Sequence, residues 1–88
     1  MGLTDLQIKK LKTRGRRYEI ADGKGLILRV RPSGGKSWFY RYTFNGEPRI
    51  VTLGEYPGVS LSEARNRHSE ARKKVQQGVD PGVEAKES

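Results

Sequence analysis

Cysteine is absent from this 88-residue chain, and histidine occurs once. The first absence rules out a disulfide scaffold and thiolate metal sites, and one imidazole cannot build a zinc cluster. Long apolar runs are missing too. The N-terminal "MGLTDLQIKKLK" has no continuous hydrophobic region of the kind a secretory signal needs, and no run approaches a membrane span. With 33% hydrophobic residues against 32% charged, the chain has room for one modest core and for some unpacked tail. These features predict one small intracellular, soluble domain.

Positive charge is plentiful and unevenly spread. The net formal charge is +8, and residues 1–58 hold twelve Lys/Arg against five Asp/Glu, whereas residues 59–88 hold six against five. A solvated surface would distribute the excess more evenly. An anionic partner of the first two-thirds is the better account. Nucleic acid comes ahead of acidic lipid, because no basic amphipathic helix is present.

Thr4 and Gln7 form a capping box, with Leu3 and Ile8 as a hydrophobic staple, so a short helix is expected over about residues 5–11, showing Leu6, Ile8 and Leu11. Two turns of helix must dock on something to persist. "KTRGRR" (12–17) is a basic loop. Strands are expected at "RYEIA" (17–21), alternating Tyr18 and Ile20, and at "LILRVR" (26–31), separated by the turn "DGKG"; "PSGGK" (32–36) is a second turn.

The stretch "KSWFYRYTFNGEPRIVTLG" (36–54) is a hairpin. Asn45-Gly46 as a two-residue type I′ turn pairs Phe44 with Glu47, Tyr42 with Arg49, Tyr40 with Val51 and Trp38 with Leu53. One face then carries Trp38, Tyr40, Val51 and Leu53, continued by Leu26, Leu28 and Val30. The other carries Phe39, Arg41, Thr43, Pro48, Ile50 and Thr52, together with Ile27, Arg29 and Arg31. No acidic residue is expected opposite these arginines, and burying them unpaired would cost too much, so the aromatic-aliphatic face is the core. Its cover is a helix over 61–77, with Ser60 and Glu63 as a capping box and Gly78 and Pro81 as the stop. Leu61, Ala64, His68, Ala71 and Val75 form its narrow apolar stripe. The fold class is therefore α+β: a three- to four-stranded antiparallel sheet with one long helix packed on one face and a short N-terminal helix.

The uncovered face mixes Arg29, Arg31, Phe39, Arg41 and Thr43, a set suited to base readout. Arginine forks reach guanine edges, apolar groups meet thymine methyls, and a small sheet fits the major groove of duplex DNA. A single-stranded or RNA partner would call for several aromatics on that face, and only Phe39 lies there. "TRGRR" either holds phosphates or is merely solvated. On the phosphate reading Arg14, Arg16 and Arg17, with Lys36, supply backbone contacts. "DGKG" and "SGGK" lack the context of a phosphate-binding loop. His68 has no Asp, Cys or Ser at a suggestive spacing and reads as a packed side chain, not a catalytic one. No cofactor is expected.

"LTDLQIKKLK", "YEIADGKGLILRV", "GGKSWFYRY", "LGEYPGVSLSEAR" and "GVDP" together resemble the N-terminal arm-type DNA-binding domain of bacteriophage and genomic-island integrases of the tyrosine recombinase family. The resemblance spans residues 3 to 81. The pattern departs from the family at His68, where a small apolar residue is usual, and at Phe39, where a basic one is frequent. It implies a domain at 1–81 that binds double-stranded arm-type DNA, followed by the start of a linker or tail at 82–88. The implied setting is the bacterial cytoplasm and nucleoid, with no membrane. The chemistry of cutting and rejoining DNA through a tyrosine would belong to a separate catalytic domain, so no catalytic residue is assigned here. The competing expectation is a protein-interaction module, whose free sheet face meets an acidic partner such as an excisionase or another integrase subunit.

Overall fold

Thr4 opens the first helix as its spacing to Gln7 predicts: Thr4 Oγ1 accepts from the Gln7 N–H at 3.2 Å, and Gln7 Oε1 accepts from the Thr4 N–H at 2.9 Å. The computed structural model describes residues 3–13 and 15–82. In it this helix, α1 (Asp5–Lys9), is shorter than expected. Ile8 is fully buried and Leu3 packs with it, but Leu6 is 61% exposed. Two residues along a helix is more than half a turn, so Leu6 cannot share the docked side with Ile8.

Four strands follow, β1 (Tyr18–Gly23), β2 (Leu26–Val30), β3 (Lys36–Phe44) and β4 (Glu47–Tyr56), and then helix α2 (Leu61–Gln76). They form one antiparallel sheet in the order β1-β2-β3-β4. Asn45 and Gly46 both take positive φ, 52° and 78°, as a type I′ turn requires. The β3–β4 register is as read from the turn, from Phe44–Glu47 as far as Phe39–Thr52.

Beyond that point the expected Trp38–Leu53 pair is replaced by Trp38–Gly54, because a bulge leaves Leu53 without an opposite residue. The bulge is held from the helix side. Arg67 Nη1 donates to the Leu53 carbonyl at 2.7 Å, and Trp38 Nε1 donates to the Val59 carbonyl at 2.8 Å. Gly54 sits at φ 140°, and a Cβ there would fall 2.3 Å from Val59 Cγ2, so the chain can fold back over the sheet only at glycine.

Trp38, Leu26 and Leu28 are buried beneath α2, with Tyr40, Tyr42 and Leu53 beside them. From the helix come Leu61, Ala64, His68 and Ala71, while Val75 is half-buried. Ser60 caps α2 by accepting from the Glu63 N–H at 3.2 Å, but only this half of the expected box forms, since the Glu63 carboxylate turns to Arg67 at 3.3 Å. Gly78 ends the helix at φ 81°.

Two buried carboxylates tie the ends of the chain to this body. Asp22 accepts from the Leu3 N–H at 2.6 Å and from Arg65 at 3.0 Å, and Arg65 also donates to the Leu3 carbonyl at 2.8 Å. Burial pushes the Asp22 carboxyl up, but these hydrogen bonds and the Arg65 charge outweigh it and leave it below its ordinary value. Asp80 accepts from the Tyr42 hydroxyl, from the Gly82 N–H at 2.9 Å and from Arg49 at 3.4 Å. Burial and this carboxylate push the Tyr42 phenol up to about 12.

His68 is a packed side chain, as its place in the stripe predicts. Its ring meets Tyr40 edge-on at 4.9 Å, and Nε2 lies 2.9 Å from the Lys24 carbonyl, so the neutral ring donates from Nε2. Burial pulls its pKa down, partly opposed by that carbonyl. A folded pKa below the unfolded value of about 6.5 means that the unfolded chain binds the proton more readily. Stability is then full above about pH 6.5 and declines as pH falls through the folded value. Thermal melts should show this decline setting in as pH falls below about 7, and His68→Gln should flatten it. The carboxylates Glu19 and Asp22, both lowered, contribute their own loss of stability only as pH falls below about 5.

The two faces make a second prediction. Tyr40→Ala removes a buried ring and should cost about 3–5 kcal/mol, whereas Thr43→Ala, at an exposed position, should stay within about 0.5 kcal/mol. Urea titration of both variants checks the assignment, and equal losses would contradict it.

Candidate nucleic-acid interface

Strand alternation sets out the uncovered face in rows. Glu19, Arg29, Ser37 and Glu55 lie across the sheet in one row; Ala21, Ile27, Phe39 and Thr52 form the next. Arg41 with Ile50, and Thr43 with Pro48, continue toward the Asn45-Gly46 turn. Arg29, Phe39, Arg41 and Thr43 are thus brought to one surface, with Arg31 at its far end. The Arg41 N–H donates to the Gly25 carbonyl at 2.8 Å, which fixes β3 beside the β1–β2 turn.

The expectation that no acidic residue faces these arginines is corrected here. Glu19 stands directly across from Arg29, and its Oε2 accepts from Arg29 Nε at 2.9 Å and Nη2 at 2.7 Å. Its Oε1 accepts from Arg41 Nη2 at 3.2 Å, so the Arg41 side chain reaches back across β2. The hydrogen bond from Arg29 and the charges of Arg29 and Arg41 outweigh partial burial and hold the Glu19 carboxyl below its ordinary range. It is therefore ionised at neutral pH. Arg31 donates to Ser37 Oγ at 3.0 Å and to Glu55 at 3.4 Å. Its guanidinium lies flat on the chain at Gly35, where a Cβ would come within 2.4 Å of Nη2. Three arginines thus meet two carboxylates on this face.

The apolar members differ among themselves. Ile27 is only 6% exposed and is therefore unavailable to a partner, contrary to its expected place among the outer contacts. Packed in register between Ala21 and Phe39, it forms a small core of its own on this side. Phe39 is half-buried, and the Arg29 guanidinium covers its ring 4.3 Å from the centroid. Ile50 is 44% exposed and, with Pro48, Arg29, Arg41 and Arg49, lines a shallow depression.

The basic loop lies apart from this cluster. Arg16 and Arg17 are exposed just before β1, and Tyr18 Oη fastens the loop by donating to the Lys12 carbonyl at 2.6 Å. Arg14 lies outside the described residues. Tyr18, Val30, Lys36 and Tyr56 stand in one register row, so Arg16, Arg17, Arg31 and Lys36 gather at the same end of the sheet. Lys36 alternates to the side of Trp38 and sits at the rim.

Glu19, Glu55 and Arg49 escaped the reading of the sequence. Glu19 could have been found, because placing Tyr18 and Ile20 on the core side puts Glu19 on the outer one. Arg49, opposite Tyr42, falls on the core side by alternation yet is exposed, since it lies close to the turn and bridges Glu47 and Asp80. Among the described residues no group of His, Cys, Asp and Glu could hold a metal ion, and no helix is long and apolar enough to cross a membrane.

Comparison with known proteins identifies the family. Residues 3–88 match the family described as arm DNA-binding domain. The chain is 43% identical over 86 residues to an integrase of Shigella phage Sf6, covering 98% of this chain and 22% of that protein. The same figures hold for the prophage integrase IntS of Escherichia coli K12. An integrase of Enterobacteria phage P4 is 36% identical over 90 residues, covering 100% of this chain and 20% of the relative. The chain thus spans about a fifth of the length of these relatives, and over that span it belongs to the arm DNA-binding domain family.

Proposed function

We propose that this chain binds double-stranded arm-type DNA sequence-specifically, as the N-terminal module of a site-specific integrase of the tyrosine recombinase type. The uncovered face of the sheet docks in the major groove. Arg29, Arg31, Phe39, Arg41 and Thr43 face the bases, and Arg14, Arg16, Arg17 and Lys36 hold phosphates. Residues 1–81 form the module, and 82–88 begin the connection to the rest of the integrase, which carries the strand-exchange chemistry. One observation carries this reading: α2 covers the aromatic face only, leaving a sheet face of ordered arginines with Arg41 and Thr43 exposed. Arginine positioned on a rigid strand suits bidentate recognition of guanine, whereas loop arginines suit phosphates. The cation over the Phe39 ring leaves little room for an unpaired base to stack there, which favours duplex over single strand.

A duplex-binding module should lose affinity steeply with salt, by about 0.9 log units per tenfold change for each phosphate neutralised. Binding assays on duplex DNA, single-stranded DNA and RNA of matched length, across a salt series, test this. Affinity indifferent to salt, or a preference for single strands, would exclude the proposal.

Reading and positioning should separate by mutation. Arg41→Ala is expected to cost about 1–3 kcal/mol on the preferred duplex and to flatten preference at one or two base pairs. Arg16→Ala should weaken preferred and random duplex alike and reduce the salt slope by about one contact. The measurement is the ratio of preferred to random-duplex affinity for each variant. A ratio that survives Arg41→Ala but collapses with Arg16→Ala would move base readout to the loop.

A further inference from the structure

We infer that Glu19 is a specificity-determining residue: it positions Arg29 and Arg41 for base edges and keeps both from acting as general phosphate binders. The inference rests on the duplex-binding reading. Glu19 comes from β1, Arg29 from β2 and Arg41 from β3, so one carboxylate links three successive strands of the uncovered face. Both of its oxygens are used, Oε2 by Arg29 at 2.9 and 2.7 Å and Oε1 by Arg41 at 3.2 Å. A guanidinium has five N–H groups in a fixed fork. The contacts to Glu19 engage two nitrogens of Arg29 and one of Arg41, so each retains N–H groups for a second acceptor. Arg29 is held from below as well, by the Phe39 ring at 4.3 Å.

Two consequences follow for a docked duplex. A phosphate approaching either arginine also approaches the Glu19 charge, which offsets the attraction. A base edge is neutral and meets no such repulsion. The Glu19 carboxylate can moreover accept from an exocyclic amine such as cytosine N4. Pairing with Glu19 therefore lowers affinity for any duplex and raises the relative affinity for one that presents acceptors where the two forks point.

Selection from a randomised duplex pool with the unmodified chain yields a preferred duplex, and the selected duplex and the unselected pool are the two probes. Glu19→Gln should bind the pool several-fold more tightly, with a salt slope steeper by about one contact. Its ratio of selected to pool affinity should fall by about fivefold or more. Arg41→Ala should reduce that ratio much less in the Glu19→Gln background than alone, because the two residues act as a unit. Glu19→Asp keeps the charge but is one methylene short for Arg41. It should leave pool affinity near that of the unmodified chain while the ratio falls, which separates positioning from charge. A residue that only stabilises the sheet would lower both affinities together with the melting temperature, and that result overturns the inference. Unchanged ratio and slope in Glu19→Gln overturn it equally. Failure of the unmodified chain to bind either probe would instead remove the duplex-binding reading, and this inference with it.

Discussion

Charge that has no partner cannot leave water, and this constraint decides how the sheet is oriented. Trp38, Tyr40 and Tyr42 alternate with Phe39, Arg41 and Thr43 along β3, while Leu28 alternates with Arg29 along β2. Only one side of such a sheet can accept a helix. Covering the arginine side would mean desolvating three cations against two carboxylates, with one charge left over. The helix therefore lies on the aromatics, and the arginines are left outside because the core is inside. The function proposed for the outer face is thus a by-product of the only packing the strands permit.

Orientation alone would leave a loosely seated helix, because the stripe on α2 is narrow and rich in alanine. Polar ties at its edges compensate. Arg65 reaches Asp22 and the Leu3 carbonyl, Arg67 reaches the Leu53 carbonyl, and His68 reaches the Lys24 carbonyl. Each tie joins the helix to a different turn, bulge or terminus, so α2 is located along its length as well as against the sheet. The helix does this without disturbing the outer face, since each of these acceptors lies on the covered side or at the edge. Small side chains in the middle and arginines at the rim let the helix sit close and still be fixed.

Much of this was legible in the residues. The Asn45-Gly46 turn sets the β3–β4 register through six pairs, and the spacing of Leu61, Ala64, His68 and Ala71 marks the buried side of α2. What was not legible depends on contacts between distant segments. The bulge at Leu53 exists because Val59 and Arg67 meet the chain at Gly54, and neither is adjacent in sequence. Ile27 is buried on the outer side through its neighbours on two other strands, which no periodicity of β2 alone reveals. Glu19 was hidden differently: its face could be inferred, but its reach to Arg41 depends on the path of a long side chain across β2. Of the candidate site, the side of the sheet and its arginines could be read in advance, whereas the pairing among them could not.

That pairing alters what the excess charge means. A +7 surplus over residues 1–58 suggests a surface that attracts any polyanion, yet the arginines best placed on the sheet are already engaged with Glu19 and Glu55. Exposed ion pairs are weak, about 0–1 kcal/mol, so they can be exchanged for contacts with a ligand. They nonetheless restrict where each guanidinium points before the ligand arrives, which lowers the entropy lost on ordering it. Arg16 and Arg17, by contrast, are exposed in the loop before β1. On the proposed reading, general attraction and selective contact would fall to different parts of one small surface: exposed charge at the end of the sheet would draw the duplex in, and constrained charge in the middle would test its sequence.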